Sequence, residues 1–403
     1  MLENSKLTVT YIANGTEKTA SESNADFTVK TSLKSGVYDL FITPSVPITV
    51  KRIALTADRT FSEGETFFGN GFQSWTDTKE YSAADTKRDL GTVGKDVSKF
   101  QFWQRLMGIN GSSFFKKGTP SPMGPVFVNA GDYSFARYEK RKGFFHSLSY
   151  TYLRRGDDYT LIGSLNERNG YTVIYADMKA NTLTFEKDIE GVTLSGEYHV
   201  FSLLTVDGGY DHVFDQYFGK LGAKLRAKRL LKGYTSWYNY YQGISEEIIL
   251  RDLDALTREA PEINTFQIDD GYQTAVGDWL SIDAKKFPNG MKKIADAIHA
   301  KGLKAGLWVA PLGAQIGSKV LTSHPDWFIK GADGKPLVMG PNWTKFCGLN
   351  FYLPEVRAHI RHFFDVILNE WGYDLVKLDF LYAAGAVPLD GKSRAECMFD
   401  AMD

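Results

Sequence analysis

At Gly233 the hydrophobic rhythm of this chain changes, and the change divides it into two kinds of structure. Up to about residue 205, runs such as "KLTVTYI", "GVYDLFITP", "ITVKRIALTA", "YTVIYADM" and "YHVFSLLTV" alternate apolar and polar residues between Gly, Asn or Asp breaks. Period 2 with β-branched and aromatic residues predicts antiparallel strands, and so many of them predict an all-β sandwich. The stretch "YDHVFDQYFGKLGAKLRAKRLLKG" predicts a helix and a basic linker. After Gly233, strand-like and helix-like segments alternate: "GYTSWYNYY" with "SEEIILRDLDALTREA", "TFQIDDGY" with "PNGMKKIADAIHAKG", "KAGLWVAP" with "PEVRAHIRHFFDVILNEWG", and "LVKLDFLY" with "KSRAECMFDAMD". Four β-then-α units predict a parallel sheet, either barrel or doubly wound. No strand is followed by GxGxxG or GxxxxGK[ST], so the phosphate loop of a nucleotide-binding fold is missing and the barrel is preferred.

Composition narrows the function. Lys plus Arg (47) nearly balance Asp plus Glu (48), which gives no reason to expect nucleic acid or a membrane surface as partner. Two cysteines, Cys347 and Cys397, are too few for a disulfide framework or a closed zinc site, and both are expected to be free thiols. No His/Cys cluster has metal-ligand spacing, so neither metal nor cofactor is expected. With no signal-peptide pattern and no 18-residue apolar run, a soluble, cytoplasmic protein is expected.

In a β/α barrel, chemistry collects at the C-terminal ends of the strands. The first strand here ends in Trp237, Tyr238, Asn239 and Tyr240, the second in Asp269, Asp270 and Gly271, and the third carries Trp308. The fourth, in "GYDLVKLDF", carries Lys377 and Asp379 on one face, where a buried parallel strand would be apolar. An inward ion pair must offset its desolvation, so it needs a reason to exist. A carboxylate nucleophile for a sugar must stay ionised, and a cation beside it favours that form. Lys377 can also donate to substrate hydroxyls, while Asp269 and Asp270 can accept from them. Trp237, Trp279 and Trp308 lie in or just after strand ends, where an indole can stack on a sugar ring. Duller roles compete: Asp269 as a turn former, Asp270 as a helix cap, and Trp327, Trp343 and Trp371 as core. His299 and His324 are expected at the surface.

The motifs "TSWYNYY", "FQIDDGYQTAVGDW", "GLKAGLWVAP", "SHPDWFIKGADGKP", "PEVR" and "GYDLVKLDFLYAAGAVP", in that order, resemble the α-galactosidases of glycoside hydrolase family 36. The resemblance runs from Gly233 to the end, with a weaker match in "NGFQSW" and the β-rich N-terminus. It implies a β-supersandwich over 1–225, linker helix included, and a (β/α)8 TIM barrel from 226, of which about four units are present by 403. It implies retaining hydrolysis of terminal α-galactosides such as melibiose and raffinose, with Asp379 as nucleophile. Asp269, Asp270 and Lys377 would hold galactose hydroxyls, Trp237, Trp279 and Trp308 would supply aromatic contacts, and Trp75 would reach the pocket from the N-terminal domain. Where relatives usually read A-L-D before P-E-V-R, this chain reads Gly348, Leu349, Asn350. The family's general acid/base is an aspartate on a later strand, so it is expected beyond Asp403, in a longer enzyme. Two other readings stay open: a galactosyltransferase of the same family, and a galactoside-binding fragment without turnover. Unpaired sheet edges leave room for a homo-oligomer.

Overall fold

The computed structural model describes residues 2–73, 76–88, 129–224, 226 and 230–403. These fall into two compact units, one holding the described residues up to 224 together with Gly385–Asp403, the other holding the rest up to Ala384.

The first unit is built on two antiparallel sheets, each of seven strands among the described residues. One sheet is ordered Thr16–Ala20, Lys6–Ala13, Ile48–Asp58, Thr182–Asp188, Tyr171–Asp177, Phe144–Leu148, with Thr193–Leu194 also paired to Ile48–Asp58. The other runs Phe27–Lys34, Val37–Pro44, Tyr198–Gly208, Asp158–Ser164, Tyr150–Arg155, Thr66–Gly69, Lys79–Tyr81. Period 2 decides what faces inward: Leu7, Val9, Tyr11 and Ala13 of one strand are buried with Leu40 and Ile42 of another in a single core. Each such large side chain contributes about 1.5–3 kcal/mol on burial. The helix Tyr210–Leu221 lays Val213 and Tyr217 on the second sheet. Its seat requires a glycine, because a Cβ at Gly163 would stand 2.4 Å from the Tyr217 ring.

The second unit centres on four parallel strands in sequence order: Gly233–Thr235, Thr265–Ile268, Lys304–Val309 and Leu375–Leu378. Helix Glu246–Glu259 follows the first strand, with Ser245 capping it by accepting from the Ile248 N–H, and buries Ile249 and Leu253. Helix Gly290–Ala300 follows the second and buries Met291, Ile294, Ala295 and Ile298, the i, i+3, i+4, i+7 stripe of an amphipathic helix. Helix Pro354–Asp365 follows the third and runs on as a π-helix over Val366–Glu370.

Three local readings differ from expectation. The first strand ends at Thr235, and Trp237–Tyr240 is a helical turn. The loop after the third strand contains a three-stranded antiparallel sheet, Gly313–Gln315, Phe346–Gly348 and Val338–Gly340. The helix Arg394–Met402, expected in the barrel half as part of 226–403, belongs with the sandwich unit: Ala395 joins the core of Phe144, Tyr171 and Tyr175, and Arg394 Nη1 meets Asp188 Oδ1 at 2.7 Å.

Candidate active site

The second and fourth parallel strands bring charged residues together at their C-terminal ends, and the first and third add Thr235 and Trp308. Lys377 Nζ lies 2.8 Å from Asp269 Oδ2, across from the fourth strand to the end of the second. That oxygen also accepts from Gln267 Nε2 at 3.2 Å and Thr235 Oγ1 at 3.3 Å, while Oδ1 accepts the Asp270 N–H at 2.9 Å. Asp269 is 1% exposed and thus surrounded by donors. The lysine therefore turns to Asp269, not to Asp379 two residues along its own strand. Its side chain remains 40% exposed, which leaves the ammonium room to meet a ligand.

Asp379 is held differently. Trp308 Nε1 donates to its Oδ2 at 3.0 Å, the Phe380 N–H donates to its Oδ1 at 2.9 Å, and its own N–H donates to the Val309 carbonyl at 3.0 Å. Strand register explains the indole: Trp308 pairs with Lys377 across the ladder, two residues from Asp379 and on the same face. Phe380 has φ +54, an uncommon conformation for a non-glycine residue, and it turns the chain immediately after the carboxylate.

Asp270 is also 1% exposed. Its Oδ1 accepts from Gln273 Nε2 at 2.6 Å, and its Oδ2 accepts from Trp343 Nε1 at 2.7 Å and Gln242 Nε2 at 2.8 Å. Burial pushes its pKa up, against these three neutral donors that favour the carboxylate. The turn beyond it needs Gly271: φ is +122, and a Cβ there would stand 2.7 Å from the Gln242 carbonyl oxygen. Lys286 Nζ ties the same loops, donating to the Gln242 and Gly271 carbonyls at 2.9 and 3.0 Å.

The tryptophans sort unlike the expectation. Trp279 and Trp308 are 1% and 2% exposed and meet edge to face, centroids 5.6 Å apart, so neither presents a ring face for stacking. Trp279 packs beside Phe363 in the core, and Trp308 acts through its N–H. Trp237 is half-buried in its helical turn, against the Tyr241 ring at 5.2 Å. Trp75 lies outside the described residues. Trp343, assigned to the core on sequence, does pack against the core of this unit and also stands at the site with its N–H on Asp270. No sequence signal marked it, because it occupies the tip between two short strands of an irregular loop, at φ +51. Asn350 has a local role: its Oδ1 accepts the Tyr352 N–H at 3.1 Å just ahead of helix Pro354–Asp365. Among the described residues no group of three His, Cys, Asp or Glu side chains could hold a metal ion, and no helix is long and apolar enough to cross a membrane.

Residues 235–391, which hold every one of these charged groups, match the melibiase family model. That segment is the part of the chain similar to the melibiase family. An A type blood alpha-D-galactosamine galactosaminidase of Flavonifractor plautii is 32% identical over 145 residues, 34% of this chain and 13% of that protein. The melibiase segment is similar also to alpha-galactosidase Mel36A of Lactobacillus acidophilus, 30% identical over 151 residues, 36% of this chain and 20% of the relative. The matched segments thus span a fifth or less of these curated relatives. Among solved structures, an alpha-galactosidase of Thermus thermophilus in complex with p-nitrophenyl alpha-D-galactopyranoside aligns with TM-score 0.63 at 24% identity, over 93% of this chain and 67% of that one. An alpha-galactosidase of Geobacillus stearothermophilus aligns with TM-score 0.54 at 14% identity, over 93% and 54%. At these identities the two structures speak for the fold alone.

Proposed function

We propose that this chain provides the galactose-binding and nucleophilic half of a retaining α-galactosidase acting on oligosaccharides such as melibiose and raffinose. Asp379 attacks the anomeric carbon and forms the galactosyl-enzyme, Lys377 donates to sugar hydroxyls, and Asp270 accepts from them. Asp269, filled by its own donors, acts by aiming Lys377. The observation that carries the reading is the aimed carboxylate of Asp379, with an indole N–H on one oxygen and a backbone N–H on the other, at the C-terminal end of a parallel strand. Retaining hydrolysis also needs a proton donor about 5–5.5 Å from the nucleophile. Both oxygens of Asp269 and of Asp270 already accept hydrogen bonds, so neither is assigned the proton to be donated, and the donor is assigned to a group outside this constellation. The relatives named alpha-galactosidases support the substrate class.

The test uses α-D-galactosyl fluoride, whose leaving group departs without protonation. Incubated with the chain, it should add one galactosyl group by intact mass, mapped to Asp379 by peptide sequencing and absent in Asp379→Asn. An adduct that persists in Asp379→Asn would overturn the nucleophile assignment. Galactose binding with no adduct at all would favour the reading of a binding protein without turnover.

A further inference from the structure

Resting on the galactoside reading, we propose that Trp343 is a positioning residue: its indole N–H fills Oδ2 of Asp270, so that the carboxylate offers the sugar a single acceptor position, on Oδ1. A carboxylate has about four lone-pair positions, two per oxygen. Trp343 and Gln242 take both on Oδ2, and Gln273 takes one on Oδ1. Trp343 alone among these three donors comes from outside the first and second strand-end loops, from the hairpin tip between Val338–Gly340 and Phe346–Gly348.

That tip is held at a cost. Trp343, Thr344 and Lys345 all have positive φ, at +51, +66 and +101. Non-glycine residues there cost about 1–3 kcal/mol each and persist where surrounding structure imposes them. What surrounds Trp343 is aromatic: Phe380 at 4.6 Å, Phe346 at 5.4 Å and Trp308 at 5.9 Å between centroids. Trp308 is the donor to Asp379, and Phe380 is the strained residue after it. One indole therefore touches the frame of the nucleophile with its ring and the sugar-binding carboxylate with its N–H. A purely structural aromatic would need neither the 2.7 Å bond to Asp270 nor the left-handed run that points the N–H at it.

The experiment is galactose binding by calorimetry across pH, on the chain as it stands and on Trp343→Phe, Asp270→Asn and the double variant. Trp343→Phe keeps a ring but removes the donor. Losing a hydrogen bond to a charged group should weaken galactose about tenfold. It should also move the acid limb of binding to higher pH, because the Asp270 carboxylate loses a donor that favours its charged form. The other charges at Asp270 are Asp269 and, paired with it, Lys377, both unchanged in the variant. In the Asp270→Asn background, Trp343→Phe should leave the pH profile where it is. Equal affinity and an unmoved acid limb in Trp343→Phe would overturn the assignment while leaving the galactoside reading intact. Failure of the unsubstituted chain to bind galactose at any pH would overturn the galactoside reading and this role with it. Should Trp343→Phe not fold, indole N–H resonances decide: one should shift with pH in the unsubstituted chain and lose that shift in Asp270→Asn. No such resonance would overturn the proposal.

Discussion

Asp379 owes its aim to two donors of different kinds, the backbone of a strained residue and the indole of a neighbouring strand. The indole can be removed alone. Trp308→Phe should slow galactosyl-adduct formation about tenfold to a hundredfold, the value of one hydrogen bond to a charged group, with galactose affinity little changed. Time-resolved intact mass with galactosyl fluoride measures the first and calorimetry the second; an unchanged rate would show that the Phe380 N–H suffices. Lys377→Met should act in the opposite way, on affinity first, because it takes a donor from the ligand. It should also destabilise the chain, by about 1–2 kcal/mol since the ammonium is 40% exposed, by leaving Asp269 to neutral donors. At this scale the Lys377, Asp379 pair was legible because period 2 in an apolar strand makes inward charge conspicuous. The partner of Lys377 was not, since pairing between strands depends on register, which the sequence of one strand does not contain. Nor was the burial of Trp279 and Trp308: a tryptophan at a strand end reads alike whether its ring or its N–H is what the site uses.

Among elements, the strand-end turns decide whether these side chains converge. Gly271 is the hinge of the second, with φ +122 and the Gln242 backbone against it. Gly271→Ala should cost about 1–3 kcal/mol of strain and push Gln242 away from Asp270, lowering both the melting temperature and galactose affinity. Thermal melts and calorimetry together check it; a variant that melts and binds as before would mean the turn can relax. Helices of this unit were readable from their stripes, as with Met291, Ile294, Ala295 and Ile298. The first strand was read too long because "WYNYY" is rich in strand-favouring aromatics, and the turn Trp237–Tyr240 overrides that propensity. The hairpin bearing Trp343 had no period to read, being made of three-residue strands and positive-φ positions.

For the whole molecule, the helix Arg394–Met402 shows how far apart in sequence the decisive partners can be. Its start was written locally, in the capping box of Ser393 and Glu396, but its apolar face of Ala395, Met398 and Phe399 would suit either unit. What singles out the sandwich is Arg394 on Asp188, both largely buried, with Asp188 Oδ2 lacking a hydrogen-bond partner. Burial outweighs the guanidinium and pushes the Asp188 carboxyl from 3.8 up to about 6. The folded state therefore holds this proton to higher pH than the unfolded state does, so between about pH 4 and 6 the native chain binds more protons and stability falls as pH rises. A shift of that size corresponds to roughly 3 kcal/mol, complete above about pH 6. Asp188→Asn should remove this component. Hydrogen exchange of the sandwich strands and helix Arg394–Met402, compared between the two chains at pH 4 and pH 7, reads it directly. Protection should fall more steeply with pH in the unsubstituted chain, after correction for intrinsic exchange. Equal slopes would mean that Arg394 keeps Asp188 ionised throughout, and the buried pair would then be a plain ion pair with no proton to lose.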